Sequence, residues 1–276
     1  MSTQPRSFKI RVPATSANIG PGFDVVGLSL SLYLTLTVTV PGPSSASDAN
    51  NGNGGPSISY TGEGADEVPL DAYKNLMMRV ALYVLRCNGV HSFPPRLTVH
   101  AHNEIPFGRG LGSSGAAVIA GVLLGDALGQ LGLSRARMLD HALMVERHPD
   151  NVTAALVGGF VGSYLRELDP SATQAASVPL SEVLPEYPRD AGPDWGRDPP
   201  LPPTGIGHYV RFGWAKEIRA IAIIPRFELS TATARGALPQ SYSRKDVVRT
   251  RNGSGIRKLV TFAYFDRFST CSASPS

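Results

Sequence analysis

Residues 105–115 read IPFGRGLGSSG, and the helix-forming run Ala116–Ala120 follows directly. Three glycines alternate along this stretch at Gly108, Gly110 and Gly112. A glycine-rich loop that leads into a helix presents backbone N–H groups to a ligand, and the positive end of the helix dipole attracts an anion. The stretch therefore predicts a phosphate-binding loop in front of a helix.

This loop does not follow the two best-known phosphate motifs. A Walker A motif would end in Gly-Lys-Ser/Thr, and a dinucleotide fingerprint would have glycine where Ser113 stands. On local grounds, a tight structural turn is the alternative. Ser113 and Ser114 favour the functional interpretation, because hydroxyls at a helix start can cap the backbone, bind phosphate or hold Mg²⁺.

A second motif, PATSANIGPGFD, occupies residues 13–24 and follows a predicted strand at Phe8–Val12. Small residues and glycines let the backbone approach a ligand closely. Asn18 and Asp24 supply an amide and a carboxylate that suit a substrate ammonium or hydroxyl group. The alternative is a polar turn in which Asp24 caps a helix.

A third motif, ERHPDN, occupies residues 146–151 and places carboxylates, an imidazole and an amide within six residues. The alternative is a helix that ends at Pro149, with Asp150 capping the next helix.

Hydrophobic periodicity and turn residues predict an α+β fold, because strands and helices mix without strict alternation. A short helix is predicted to begin at Ser230 and to carry Arg235. Residues 41–56 are predicted to form a surface loop and residues 167–208 a proline-rich connection. The remaining predictions are strands at 8–12, 30–40, 96–101, 160–165 and 218–225, and helices at 72–85, 116–131, 134–147 and 152–156.

Composition excludes several classes of protein. No apolar run reaches membrane-spanning length, and the N-terminus has no secretory apolar region. Cys87 and Cys271 have neither metal nor redox spacing, which favours a reducing compartment, the cytoplasm. His100 and His102 share one face of a predicted strand, but two ligands alone make a poor metal site.

Charge also argues against nucleic-acid binding. The chain of 276 residues has a net charge of +4. Residues 249–276 hold five basic groups and one acidic group, 5 − 1 = +4, so the first 248 residues sum to zero. The body therefore lacks the basic field that nucleic acids require.

The three motifs, in this order, resemble those of the GHMP small-molecule kinases, and among them the homoserine kinase subfamily. The resemblance runs from about residue 8 to residue 248. It implies the GHMP kinase fold, with an N-terminal ribosomal-protein-S5-domain-2-like, ATP-binding domain over 1–166 and a proline-rich connection over 167–215. The start of an incomplete C-terminal α+β domain follows over 216–248, and then a basic tail unlike the family over 249–276.

The resemblance also implies roles for individual residues. Asn151 and Arg235 are expected to serve catalysis, and Arg235 to hold the amino-acid carboxylate. No strong general base is implied. Substrate would contact Asn18, Asp24, His148, Asn151 and Arg235, and Mg²⁺ would contact Ser114 and Glu146. ATP would contact Asn75, Pro106, Phe107, Gly108, Arg109, Gly110, Leu111, Gly112, Ser113, Ser114 and Gly115.

The implied reaction is phosphoryl transfer from ATP to the side-chain hydroxyl of L-homoserine, a step of threonine biosynthesis. Positioning and charge neutralisation would supply most of the catalysis. The expected partners are L-homoserine, ATP and a second copy in a homodimer, with neither nucleic acid nor membrane. Two alternatives stay open: a GHMP kinase for mevalonate or a sugar, and a catalytically impaired nucleotide-binding fragment.

The chain departs from the family after Val248, where the family's third glycine-rich motif has no match. We expect residues 249–276 to come from an altered reading frame or a retained intron. The second domain would then be unable to complete its sheet, which would lower both stability and activity.

Overall fold

The structure, a computed structural model, describes residues 5–20, 22–42, 55–186, 198–215, 217–222, 224 and 241. These residues form six strands and six helices. The strands are β1 (Arg6–Ala17), β2 (Val26–Val40), β3 (Ser57–Gly62), β4 (Thr98–Asn103), β5 (Phe160–Leu165) and β6 (Gly207–Phe212). The helices are α1 (Leu76–Cys87), α2 (Ser113–Gly129), α3 (Arg135–Val145), α4 (Pro149–Val157), α5 (Pro170–Ala176) and α6 (Leu180–Val183).

The strands make one mixed sheet, which confirms the α+β class. Its order is β3-β4-β2-β5-β6, and β1 pairs with β2 as well. Strand β2 organises the sheet, because β1 pairs antiparallel along most of it while β4 and β5 pair with its two ends. Only β3 and β4 run parallel.

Alternation along the strands sends one set of side chains into the core. Leu34, Leu36 and Val38 of β2 are buried, whereas the threonines between them are not. This is the period of two that a half-buried strand requires. The buried face packs against the helices, so the core lies between the sheet and α1 to α4.

Three glycines of α2, at Gly121, Gly125 and Gly129, form a stripe against α1. A Cβ atom at Gly121 would lie 2.5 Å from the carbonyl oxygen of Met77, and one at Gly125 would lie 2.8 Å from that of Ala81. The two helix backbones are therefore in direct contact, which a side chain at these positions would prevent.

In its described part, the chain after β5 is more ordered than its proline content predicts. Residues 168–186, which we call the strap, contain α5 and α6 and bury Val183 and Leu184 in the core. Residues 198–206 follow, and the buried carboxylate of Asp140 accepts hydrogen bonds there from the N–H groups of Gly205 and Ile206.

Several local predictions are confirmed. Ser134 caps α3 by accepting a hydrogen bond from the N–H of Arg137, and α4 ends at Gly158, whose φ is +79°. His100 and His102 share one face of β4, where Ser59 and Thr61 of β3 hydrogen-bond them.

The strand predicted over 218–225 is wrong in its described part. Residues 217–222 have no strand structure, and Ile221 is 78% exposed. A strand needs a paired neighbour, and within the described chain no strand lies beside this segment. The helix predicted at Ser230 lies outside the described residues, and the domain boundaries stay predictions.

Within the described ranges, no helix is both long enough and apolar enough to cross a bilayer.

Candidate active site

The glycine loop has the backbone conformation that its sequence predicts. Gly108, Gly110 and Gly112 have φ values of +63°, +71° and +65°, a region that side chains disfavour. Gly112 is also the N-cap of α2, and it has no side chain with which to cap the helix. The first N–H groups of α2 have no partner within the helix, so they are suited to an anion.

The three sequence motifs meet at one point, which we call the motif junction: Thr15, Gly112 and Asn151. The N–H of Thr15 donates to the carbonyl of Leu111 at 3.0 Å, and the Thr15 hydroxyl donates to Asn151 Oδ1 at 2.8 Å. A Cβ atom at Gly112 would lie 2.0 Å from the Thr15 hydroxyl oxygen and 2.9 Å from Asn151 Oδ1. The glycine loop, the opening motif and α4 are therefore in direct contact.

The opening motif continues into a tight turn after β1. Asn18 Oδ1 accepts a hydrogen bond from the N–H of Asp24 at 2.8 Å, and both residues have positive φ values. The element that follows is strand β2, so the alternative in which Asp24 caps a helix is wrong.

The third motif connects α3 to α4. Glu146 ends α3, and His148 is the N-cap of α4. Glu146 Oε1 lies 3.5 Å from His148 Nδ1. The alternative cap, Asp150, is instead the second residue of α4, where it accepts the N–H of Asn151 at 2.8 Å.

Negative charge accumulates at the start of α4. Burial raises the pKa of Asp150, the hydrogen bond from Asn151 lowers it, and the carboxylates of Asp24 and Glu146 raise it further. His148 opposes this effect. The carboxylates of two motifs, Asp24 from the opening motif and Glu146 from the third, thus both act on Asp150.

Asn75 has a structural task. It is the N-cap of α1 and is only 3% exposed; its Oδ1 accepts from the N–H of Met78, and its Nδ2 donates to the carbonyl of Pro69 at 3.0 Å. Its contact with adenine stays a prediction. Arg235 lies outside the described residues.

An open cavity of about 510 Å³ lies beside the start of the glycine loop, lined by residues 62–67 and 102–104. Its lining residues include four acidic ones, Glu63, Asp66, Glu67 and Glu104. These would repel a phosphate, so the cavity does not suit the triphosphate. In the part of the chain that the structure describes, no cluster of three or more metal-ligating side chains occurs.

Comparison with known proteins decides the family. Residues 75–159 match the family described as GHMP kinases N terminal domain. The homoserine kinase of Saccharomyces cerevisiae is 56% identical over 245 residues, which are 88% of this chain and 68% of that protein. The chain belongs to the homoserine kinase family. The family member from Candida albicans is 49% identical over 244 residues, 88% of this chain and 67% of that protein.

Solved structures agree on the fold. The crystal structure of homoserine kinase from Cytophaga hutchinsonii superposes with a TM-score of 0.58 at 24% identity, covering 92% of this chain and 66% of that one. The chain thus spans about two thirds of the length of the homoserine kinases that it matches. The resemblance drawn from the motifs is confirmed.

The structure adds three residues to the candidate site of this homoserine kinase family member that the motifs alone did not single out. Thr15, near the end of β1, joins the motifs through its hydroxyl. Its place in the opening motif, between the predicted strand at Phe8–Val12 and the glycines that follow, was the available signal. Asn103 holds the start of the loop, since its amide bonds both the N–H and the carbonyl of Ile105. Gly27 lets β2 approach α4, because a Cβ there would lie 2.4 Å from the carbonyl oxygen of Asp150.

Proposed function

We propose that this chain transfers the terminal phosphoryl group of ATP to the side-chain hydroxyl of L-homoserine. The motif junction is the observation that carries this proposal. It places the glycine loop, which suits the phosphates, against Asn151 and the turn that ends at Asp24. Donor and acceptor would therefore meet at the N-termini of α2 and α4.

The glycine loop would hold the triphosphate through backbone N–H groups. Three alternating glycines with positive φ values turn the backbone, and α2 adds the positive end of its dipole. Residues Pro106 to Gly115 are thus proposed as the phosphate cradle.

Mg²⁺ fits the donor chemistry of this region. Ser114 lies in the first turn of α2, and the carboxylate of Glu146 lies near Asp150 at the start of α4. The described residues offer no self-contained metal cage, and Mg²⁺ usually binds through one or two protein oxygens plus substrate phosphates. When bound with ATP, the ion would neutralise phosphate charge during transfer.

The homoserine contacts are proposed on the side of the motif junction opposite the glycine loop. The carboxylate of Asp24 suits the substrate ammonium group, and the amide of Asn151 suits the reacting hydroxyl. His148 and Asn18 would complete this side, and Arg235 would bind the carboxylate. We assign no general base, since alignment and charge neutralisation suffice for this type of transfer.

An assay with three acceptors tests the proposal. ADP release is followed with L-homoserine, mevalonate and galactose, and the product is identified by ³¹P NMR. We expect turnover with L-homoserine and formation of O-phospho-L-homoserine. Asn151→Ala, purified in parallel, reports any contaminating kinase. Turnover with mevalonate or galactose, and none with homoserine, would overturn the substrate assignment.

A second candidate is nucleotide binding without transfer. The observation in its favour is the apolar surface of β6 and the segment after it, where four large side chains are exposed: Val210, Phe212, Trp214 and Ile221. Tight binding of a non-hydrolysable ATP analogue, without turnover of any acceptor, would support this candidate over the first.

A homodimer and a cytoplasmic location are also proposed. Both rest on the family resemblance and on the cysteine pattern rather than on geometry. Light scattering after size-exclusion chromatography measures the first, and imaging of a tagged chain in its own cell measures the second.

A further inference from the structure

We propose that Arg147 is a positioning residue for the reaction proposed above: it ties the α3–α4 turn to the strap and so orients Glu146 and His148. This inference rests on the proposed function for its kinetic consequence. The geometric part concerns the turn alone and can be tested separately.

The backbone of the turn separates its side chains. Only three residues, Glu146, Arg147 and His148, connect α3 to α4. Glu146 (φ −101°, ψ 100°) and His148 (φ −109°, ψ 122°) are both extended. Successive side chains of extended backbone point in opposite directions, so Arg147 points away from the Glu146–His148 pair.

Arg147 is bound on its own side by the strap. Its guanidinium donates to the carbonyl of Ala176 at 2.8 Å and to that of Val178. Ala176 ends α5, and carbonyl groups at a helix C-terminus attract a cation. The strap is a firm anchor because Val183 and Leu184, a few residues later, are buried in the core.

Glu146 and His148 depend on this anchor. Among the described residues, their side chains make an ion pair only with each other, and His148 does not cap α4 with its side chain. Their placement relative to Asp150 is therefore set by the backbone of the turn. The bonds from Arg147 fix that backbone midway between them.

The experiment compares Arg147→Gln with a matched control, Arg79→Gln. Arg79 also ties the strap, donating to the carbonyl of Leu184, but it does so from α1. We expect Arg147→Gln to lower kcat/KM for homoserine by about 10- to 100-fold. KM for ATP should change by less than about twofold, since the glycine loop is untouched.

The control should separate positioning from stability. Both variants lose partly buried hydrogen bonds to the strap, so both should lower Tm, yet Arg79→Gln should keep kcat/KM within about threefold of the parent. Arg147→Lys should recover part of the lost activity, because an ammonium group can still donate to one carbonyl. Equal losses of kcat/KM in the two Gln variants, or no loss in Arg147→Gln, would overturn the proposal.

A second readout does not depend on turnover. Relative to the parent chain, hydrogen–deuterium exchange of the peptide spanning 145–151 should be faster in Arg147→Gln and unchanged in Arg79→Gln. Unchanged exchange in Arg147→Gln would overturn the proposal even if the chain phosphorylates homoserine. Faster exchange in a chain that does not turn over homoserine would support the anchor while refuting the proposed function.

Discussion

Two sets of glycines, one just before α2 and one within it, have different structural roles. Gly108, Gly110 and Gly112 precede α2 at a spacing of two and have positive φ values. Gly121, Gly125 and Gly129 lie within α2 at a spacing of four and contact α1 or the chain that follows. The first set lets the backbone turn toward a ligand, and the second lets two helices approach. Substitution should therefore damage activity in one set and stability in the other.

The largest effect is expected for Gly112→Ala. The new Cβ would lie 2.0 Å from the Thr15 hydroxyl oxygen, on a residue whose φ is +65°. The loop and the junction would have to move apart, so kcat/KM for homoserine should fall by about 100-fold or more. Steady-state kinetics measure this.

Gly132→Ala is its matched control. Gly132 has the same φ of +65°, but a Cβ added there would have nothing within 4 Å of it. It should lose about 1 kcal/mol of stability from backbone strain and keep its activity. Comparable kinetic losses in the two variants would show that strain alone, and not the junction, explains Gly112.

Gly121→Ala should come next, and should act on stability. Its Cβ would lie 2.5 Å from the carbonyl oxygen of Met77, a backbone atom that cannot rotate away. We expect a loss of about 2 kcal/mol in the free energy of unfolding, measured by urea denaturation. Gly129→Ala is the control and should lose less stability, because the atom nearest to its added Cβ belongs to the flexible side chain of Leu131. A neutral Gly121→Ala would contradict the close helix packing.

Thr15→Val tests the hydrogen bond at the junction. The change keeps the shape of the side chain and removes the donor to Asn151 Oδ1. The free energy of unfolding should fall by about 1 kcal/mol. Thr153→Val is the control: the Thr153 hydroxyl is fully buried without a hydrogen-bond partner, so its loss should be neutral or stabilising. A larger loss of stability in Thr153→Val than in Thr15→Val would refute the hydrogen bond at the motif junction.

The smallest effect is expected for Asp150→Asn, and it depends on pH. Folding raises the pKa of Asp150, mainly through burial, so the folded chain holds this proton more tightly than the unfolded chain does. Its contribution to stability is therefore greatest below the ordinary carboxyl pKa and declines as the pH rises through the raised value. Relative to the parent, Asp150→Asn should gain about 2 °C in Tm between about pH 4 and pH 7. If Tm plotted against pH ran parallel for the parent and Asp150→Asn, the claim that burial raises the pKa of Asp150 would be contradicted.

Local chemistry made part of the structure predictable. Ser134 was recognisable as a cap, Gly158 as a helix stop, and the alternating residues of β2 as a half-buried strand. Each of these signals acts within a few residues. The motif residues Asn18, Asp24, Glu146, His148 and Asn151 were also recognisable, because their order along the chain resembles a family.

What depends on distant contacts was not predictable. The strand expected over 218–225 has the right apolar composition, but within the described chain no strand lies beside residues 217–222 to pair with them. Strand β6 has less apolar character and forms because β5 lies beside it. Asn75 resembled a ligand contact, and its role as the N-cap of α1 follows from where the helix begins. Thr15 gained importance only when folding brought it to Asn151.

Hydrogen–deuterium exchange with and without a non-hydrolysable ATP analogue, Mg²⁺ and L-homoserine tests the central claim most directly. If the junction joins both substrate sites, then residues 15–24, 108–115 and 146–151 should all become protected together when the three ligands are present. Protection of residues 62–67 and 102–104, with no change in 108–115, would show that the acidic cavity and not the glycine loop receives the nucleotide.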